Sequence, residues 1–211
     1  MNNLQKLRED PMAYVYRTLH NLGQQLLCAA STSAARIDAA LRGVHIGAGL
    51  HCWGRPSFRR EAGAAIRIGR QCAIRTAPSS NNVGLFTGTH LSANTRGAVL
   101  EIGDNVGLSA VTIAAFDRIE IGDNCLIGGN ALITDSDWHP LLADERHADL
   151  PGHTAPVHIG RDVFIGTRAV ILKGATIGDR SVIGAGSVVS GTIPPDVVAA
   201  GNPCRIVRSL K

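Results

Sequence analysis

The sequence predicts an all-β solenoid assembled from hexapeptides, and three observations carry that prediction. Between Val157 and Val189 a large aliphatic residue falls at every sixth position: Ile159, Ile165, Ile171, Ile177, Ile183 and Val189. A small or β-branched residue sits two places before each, at Val157, Val163, Ala169, Ala175, Ser181 and Ser187. Glycine follows most of the aliphatic residues, at Gly160, Gly166, Gly178 and Gly184, where a Cβ would crowd a turn. Such a period fits neither a helix nor plain strand alternation. It fits short strands joined by turns, three to a triangular coil, with stacked coils burying one aliphatic column.

Composition agrees. The chain has 211 residues, enough for one sizeable core. It is 45% apolar but only 4% aromatic, which suits a narrow core of Ile, Val, Leu and Ala, and its 24 glycines suit dense turns. The net charge of +4 is carried by scattered arginines. Without a basic patch and base-stacking aromatics, no nucleic-acid surface is expected, although a local site for an anion remains open. Cys28, Cys52, Cys72, Cys125 and Cys204 are odd in number and include no C-x-x-C. They read as buried thiols in a reducing compartment. No apolar run is long enough for a bilayer, and MNNLQKLRED lacks the pattern of a secretory leader, so a cytoplasmic location is expected.

Three segments follow. Residues 1–42 read as a helical cap over the open first coil. Met12, Val15, Leu19, Leu22 and Leu26 recur at helical spacing from Pro11, and a second short helix is expected in AARIDAALR, with Ser31 to Ser33 as caps and Gly43 as its end. Peripheral membrane contact is the rarer role for such a helix. Residues 43–192 form the solenoid. The repeat starts at Val44-His45-Ile46, and the signature IGDN occurs at 102–105 and 121–124, with Asp and Asn expected to bond local turn amides. Residues 76–98 keep poor register and are either a loop or a degenerate coil. Residues 193–211 form a capping tail. The repeat also stops at about 134–156, TDSDWHPLLADERHADLPGHTAP, which cannot be threaded as hexapeptides and is expected to project from one edge as a binding loop.

The hexapeptide repeat, the DWHP segment and the tail IPPDVVAAGNPCRIVR together resemble the hexapeptide-repeat acyltransferases over roughly residues 100–210. The likeness is to the maltose and galactoside O-acetyltransferases and to colanic-acid-type polysaccharide acetyltransferases. The resemblance implies a left-handed parallel β-helix, a homotrimer with active sites between neighbouring copies, and acetyl transfer from acetyl-CoA to a hydroxyl without a metal. It implies His139 as general base. The chemistry suits that role: a sugar hydroxyl must lose its proton as it attacks the thioester, and imidazole titrates near neutrality. It further implies Thr167 and Ala185 against the pantetheine arm, Ser190 and Gly191 near the nucleotide, and Arg205 and Arg208 near the adenine and 3′-phosphate. A straight line from the tail arginines past Ala185 and Thr167 to His139 is expected. Gly191 replaces a family lysine. The family's sugar-binding Asn and Asp align with Leu108 and Phe116.

Within the loop, Asp135 or Asp137 could orient His139, or cap turns. Trp138 either stacks on a sugar or lines the pantetheine channel, or simply packs the loop. The acceptor expected is a small-molecule or lipid-linked sugar of a bacterial surface polysaccharide. A xenobiotic or amino-acid acetyltransferase of the same fold is the alternative. Two rivals come from other classes: a zinc lyase of carbonic-anhydrase type using His153 and His158, and a non-catalytic β-helix scaffold.

Overall fold

In each hexapeptide the aliphatic residue and the small residue two places before it both point inward. From Val157 to Val189 all twelve such positions are at most 3% exposed. The structure is a computed structural model describing residues 9–146 and 152–211. The strands visit three parallel sheets in rotation. Sheet A takes His45–Ile46, Ala65–Ile68, Val99–Ile102, Arg118–Ile121, Val157–Ile159, Thr176–Ile177 and Thr192–Ile193. Sheet B takes His51–Trp53, Ala73–Arg75, Gly107–Ser109, Leu126–Ile127, Phe164–Ile165, Val182–Ile183 and Val197–Ala200. Sheet C takes Ser57–Arg60, His90–Ala93, Thr112–Ala115, Leu132–Thr134, Val170–Ile171 and Val188–Val189. One strand from each sheet makes a coil, giving six full coils and the start of a seventh. Stacking is in register, as in the outward column Leu126–Phe164–Val182 of sheet B.

Residues 76–98 prove to be both a loop and a coil. Thr76 to Thr89 leaves the corner between sheets B and C, and His90–Ala93 is a regular sheet C strand paired with Ser57–Arg60 and Thr112–Ala115.

One local expectation holds and one needs correcting. The repeat glycines do sit where a Cβ would crowd a turn, and the crowding atoms belong to the next coil. A Cβ on Gly166 would fall 2.5 Å from the Ala185 nitrogen, and one on Gly122 2.7 Å from the Gly160 carbonyl. The left-handed position comes later in the turn, at Asn105, Asn124, Asp162, Arg168 and Arg180, with φ of 58–60°. By contrast, the IGDN aspartates do not bond their own turns as expected, and Asp179 of the matching IGDR turn behaves the same way. Asp104 accepts from the Arg70 N–H at 2.7 Å, Asp123 from the Asp104 N–H at 2.7 Å, and Asp179 from the Arg161 N–H at 2.8 Å. Turns stacked directly in line present the neighbouring coil's amide as the nearest donor.

Among the described residues, the stretch expected to hold two helices, from Pro11 onward, is a single helix, Pro11–Leu41. Asp10 caps it by accepting from the Ala13 N–H at 2.9 Å, and Gly43 ends it with φ 66°. Ser31 and Thr32 cap no helix. Their hydroxyls accept from the Gly54 N–H at 3.1 Å and the Cys52 N–H at 2.9 Å, covering the bare edge of the first sheet B strand. The small residues Ser31, Ala35 and Ala39 are the helix positions buried on the coil. The stripe expected to do this, from Met12 to Leu26, is instead 48–79% exposed.

At the other end, Arg205–Ser209 pairs antiparallel with Val197–Ala200 and covers that edge of sheet B. Cys52, Cys72, Cys125 and Cys204 are buried thiols. Burial pushes the Cys52 thiol up to about 12 and the Cys125 thiol up to about 11, so neither supplies a thiolate nucleophile near neutrality. Among the described residues no helix is long and apolar enough to cross a membrane.

Candidate functional site

The residues singled out from the sequence fall at two corners of the prism, one at each end of the sheet C strands. The first is the corner between sheets C and A, where the loop leaves after Thr134. Its base is zipped. Ser136 and Thr154 form an antiparallel bridge, the Asp137 N–H donates to the His153 carbonyl at 3.0 Å, and the Ala155 N–H donates to the Asp135 carbonyl at 2.9 Å. The Asp135 side chain is fully buried and accepts from the Phe116 and Asp117 N–H groups at 2.7 and 2.8 Å, pinning the loop to the coil beneath. Burial pushes its carboxyl up, against the pull of those amides.

Above this base the chain turns sharply. The His139 N–H donates to the Asp137 carbonyl at 2.8 Å, closing a γ-turn on Trp138, whose φ is 66°. This is the rare, strained form of the turn. Trp138 is held in place by its Nε1–H, which donates to Thr134 Oγ1 at 3.2 Å, and by an edge-on contact with Phe116 at 5.0 Å between ring centroids. The buried Gly152 backs the turn: a Cβ there would lie 2.8 Å from both the Trp138 and the His139 nitrogens. The result is an exposed His139 on a firmly held turn. Neither aspartate orients its ring. Asp135 is engaged by the amides below, and Asp137 Oδ2 lies 2.8 Å from Lys173 Nζ. Ser190 and Gly191 also lie at this corner, in the turn between Val189 and Thr192.

The second site is the corner between sheets B and C. A groove of about 630 Å³ runs along it, floored by Leu126, Phe164 and Val182 and edged by Thr167 and Ala185. The Thr167 hydroxyl donates to the Gly129 carbonyl at 2.6 Å, which leaves its lone pairs facing outward as acceptors. Glycines keep this edge low, since Gly166 stacks on Ala185 and Gly184 on Ala200. Arg205 lies opposite Ala200, and Arg208 lies opposite Val198, which follows Val182 in the outward column. From Gly128 to Arg205 this line spans four strand spacings, roughly 19 Å. The loop after Thr76 walls the upper end with Val83. Asn130 holds that loop by donating to the Gly84 carbonyl at 3.1 Å.

Thr167 and Ala185 edge the groove, and strand register places Arg205 and Arg208 on the next strands beyond them. His139 does not join them within a single copy, because it lies across the width of sheet C, on the order of 15 Å away. Leu108 is 2% exposed and belongs mainly to the core, although it borders the groove. His158 Nδ1 lies 2.8 Å from Glu120 on the outer face of sheet A, away from His153 in the loop base. Among the described residues no group of three or more metal-binding side chains gathers. Three contributors escaped sequence reasoning. Lys173 was visible as the one lysine inside the repeat. Thr134 and Gly152 follow no period and left no signal.

The chain is similar to known proteins in sequence and in fold. A family model described as bacterial transferase hexapeptide (six repeats) matches residues 156–191, and one described as hexapeptide repeat of succinyl-transferase matches residues 118–134. The galactoside O-acetyltransferase of Escherichia coli is 45% identical over 101 residues, which are 47% of this chain and 48% of that protein. The chain thus spans about half the length of this curated relative. A hexapeptide-repeat containing acetyltransferase of Vibrio cholerae is 30% identical in its crystal structure, over 86% of this chain and 81% of that one, with a TM-score of 0.57. Its structure complexed with acetyl coenzyme A aligns over 100% of both chains at 28% identity, with a TM-score of 0.56.

Proposed function

This chain belongs to the hexapeptide-repeat acetyltransferases, and on that premise we propose that it transfers an acetyl group from acetyl-CoA to a sugar hydroxyl, at sites shared between copies. The observation that carries the reading is the division of the site. The groove lies at one end of sheet C and the histidine loop at the other, so a ring of copies abutting through these corners brings His139 of one to the groove of the next. A homotrimer of left-handed coils is the arrangement expected of the family.

In this reading acetyl-CoA lies along the corner between sheets B and C. Its pantetheine amides meet Thr167 and the backbone at Ala185. Arg205 and Arg208 take its phosphates, for which an always-charged guanidinium is suited. Ser190 and Gly191 belong to the neighbouring copy's side of the same cleft. His139 removes the proton of the acceptor hydroxyl as the oxygen attacks the thioester carbonyl. The C–S bond then breaks, and the imidazolium returns the proton to the departing thiolate. The strained turn at Trp138 fixes the imidazole's approach through the backbone, in place of an orienting carboxylate. Trp138 and Phe116 give the acceptor side an aromatic rim, suited to the apolar face of a sugar ring. A polysaccharide building block or lipid-linked unit, modified in the cytoplasm, is the acceptor this rim would favour.

The test is thiol release from acetyl-CoA against sugars, nucleotide sugars, amino acids and aminoglycosides. Turnover with a sugar, lost in His139→Ala while CoA binding is kept, supports the reading. Turnover confined to amines, or near-normal turnover in His139→Ala, overturns it.

A further inference from the structure

The helix Pro11–Leu41 turns its large apolar face away from its own solenoid. Gln24, Cys28, Ser31, Ala35 and Ala39 form the line that faces the coil. Met12, Val15, Leu19, Leu22 and Leu26 are offset from that line by two residues, close to half a turn around the helix. They alternate strictly in steps of three and four, the spacing of a coiled-coil seam. Ile37 and Leu41 extend the same side. We propose that this stripe is a self-association seam, packed against the same stripe of a second copy.

Several observations favour a second copy over lipid. A helix that lies on a membrane surface needs lysine or arginine along its polar face. This helix carries only three charged side chains, and none is on the outer face. Arg17 falls on the coil-facing line, Arg36 donates to the Gly47 carbonyl at 3.0 Å, and Asp38 pairs with Arg42 at 2.9 Å. Two copies would therefore meet without like-charge repulsion. The seven stripe residues are each 48–83% exposed. Together they bare roughly 800 Å², about what one partner contributes to a stable interface. Gly23 adds an independent sign. It sits mid-helix beside the stripe, where glycine is disfavoured, and a Cβ there would meet nothing within 4 Å in its own copy. Close approach of another backbone gives that glycine a purpose.

The proposal does not rest on acetyl transfer. Its test is the solution mass of the full chain by light scattering after gel filtration, comparing wild type with Leu19→Glu/Leu22→Glu and, separately, with Gly23→Leu. All three positions are exposed, so circular dichroism should show the fold retained in each variant. The expected result is a wild-type assembly whose copy number falls in the double variant and whose dissociation is easier in Gly23→Leu. A monomeric wild type overturns the proposal. So does a mass unchanged in both variants, and so does wild-type sedimentation with phosphatidylglycerol vesicles that the double variant loses without any change in mass.

Discussion

Replacing Gly152 with alanine should damage turnover while sparing cofactor binding. Loss of unfolded-state freedom on its own would stabilise the chain by about 0.4–1 kcal/mol. The cost is steric. The new Cβ would stand 2.8 Å from the Trp138 and His139 nitrogens, 0.6 Å short of an ordinary 3.4 Å contact. Both obstacles are backbone, so the γ-turn itself must move. Overpacking of this kind costs about 1–3 kcal/mol. A shift approaching 1 Å in a reacting group can cost about a hundredfold in rate. The expected loss in kcat is therefore about 10- to 100-fold. The groove lies at another corner, so KM for acetyl-CoA should stay within about twofold of wild type. Steady-state thiol release across both substrates measures the two quantities. Wild-type kcat in a folded Gly152→Ala, alongside an inactive His139→Ala, would show that the held turn is irrelevant to the chemistry.

Asp135→Ala should lower Tm by about 4–8 °C, because two amides lose a charged acceptor and the gain from no longer burying a carboxylate offsets only part of a net loss of about 2 kcal/mol; scanning calorimetry reads it, and an unchanged Tm would remove Asp135 as the pin of the loop. Arg205→Ala with Arg208→Ala should raise KM for acetyl-CoA and leave kcat near wild type, and an unchanged KM would take both arginines out of the site. Hydrogen bonds from Arg180 and then Lys211 hold the Asp196 carboxyl well below the usual carboxylate range. A depressed folded pKa adds stability that is full above the unfolded value of about 4 and is lost as pH falls below it. Asp196→Asn should therefore melt earlier than wild type from pH 8 down to about 5, with the gap closing at lower pH; a gap that widens in acid would refute the assignment.

The inward column was legible from the sequence because two inward positions at fixed places in every hexapeptide impose a period, and Thr167 and Ala185 were placeable because they ride on it. What lay off the period was not legible. The partner of Asp137 is Lys173, more than thirty residues later, and only the stacking of coils brings them to 2.8 Å. The glycines were picked out as places where a Cβ would crowd a turn, but a one-dimensional pattern cannot show that the crowding atom is the next coil's backbone, 2.5 Å from a would-be Cβ at Gly166. The helix carries the same lesson. A stripe such as Met12 to Leu26 says that a face is apolar, not what covers it. Likewise, His139 and Thr167 fall in adjacent coils, yet they occupy different corners because sheet C lies between them.

That separation is the central claim, and subunit mixing tests it most directly. His139→Ala disables the base, and Ala185→Trp fills the groove at an exposed position where the fold should tolerate it. Each variant alone should be inactive. Co-refolded in equal amounts, they should regain roughly a quarter of wild-type activity, since in a ring of shared sites about one junction in four pairs an intact His139 with an intact groove. A mixture that assembles but stays inactive would contradict the account.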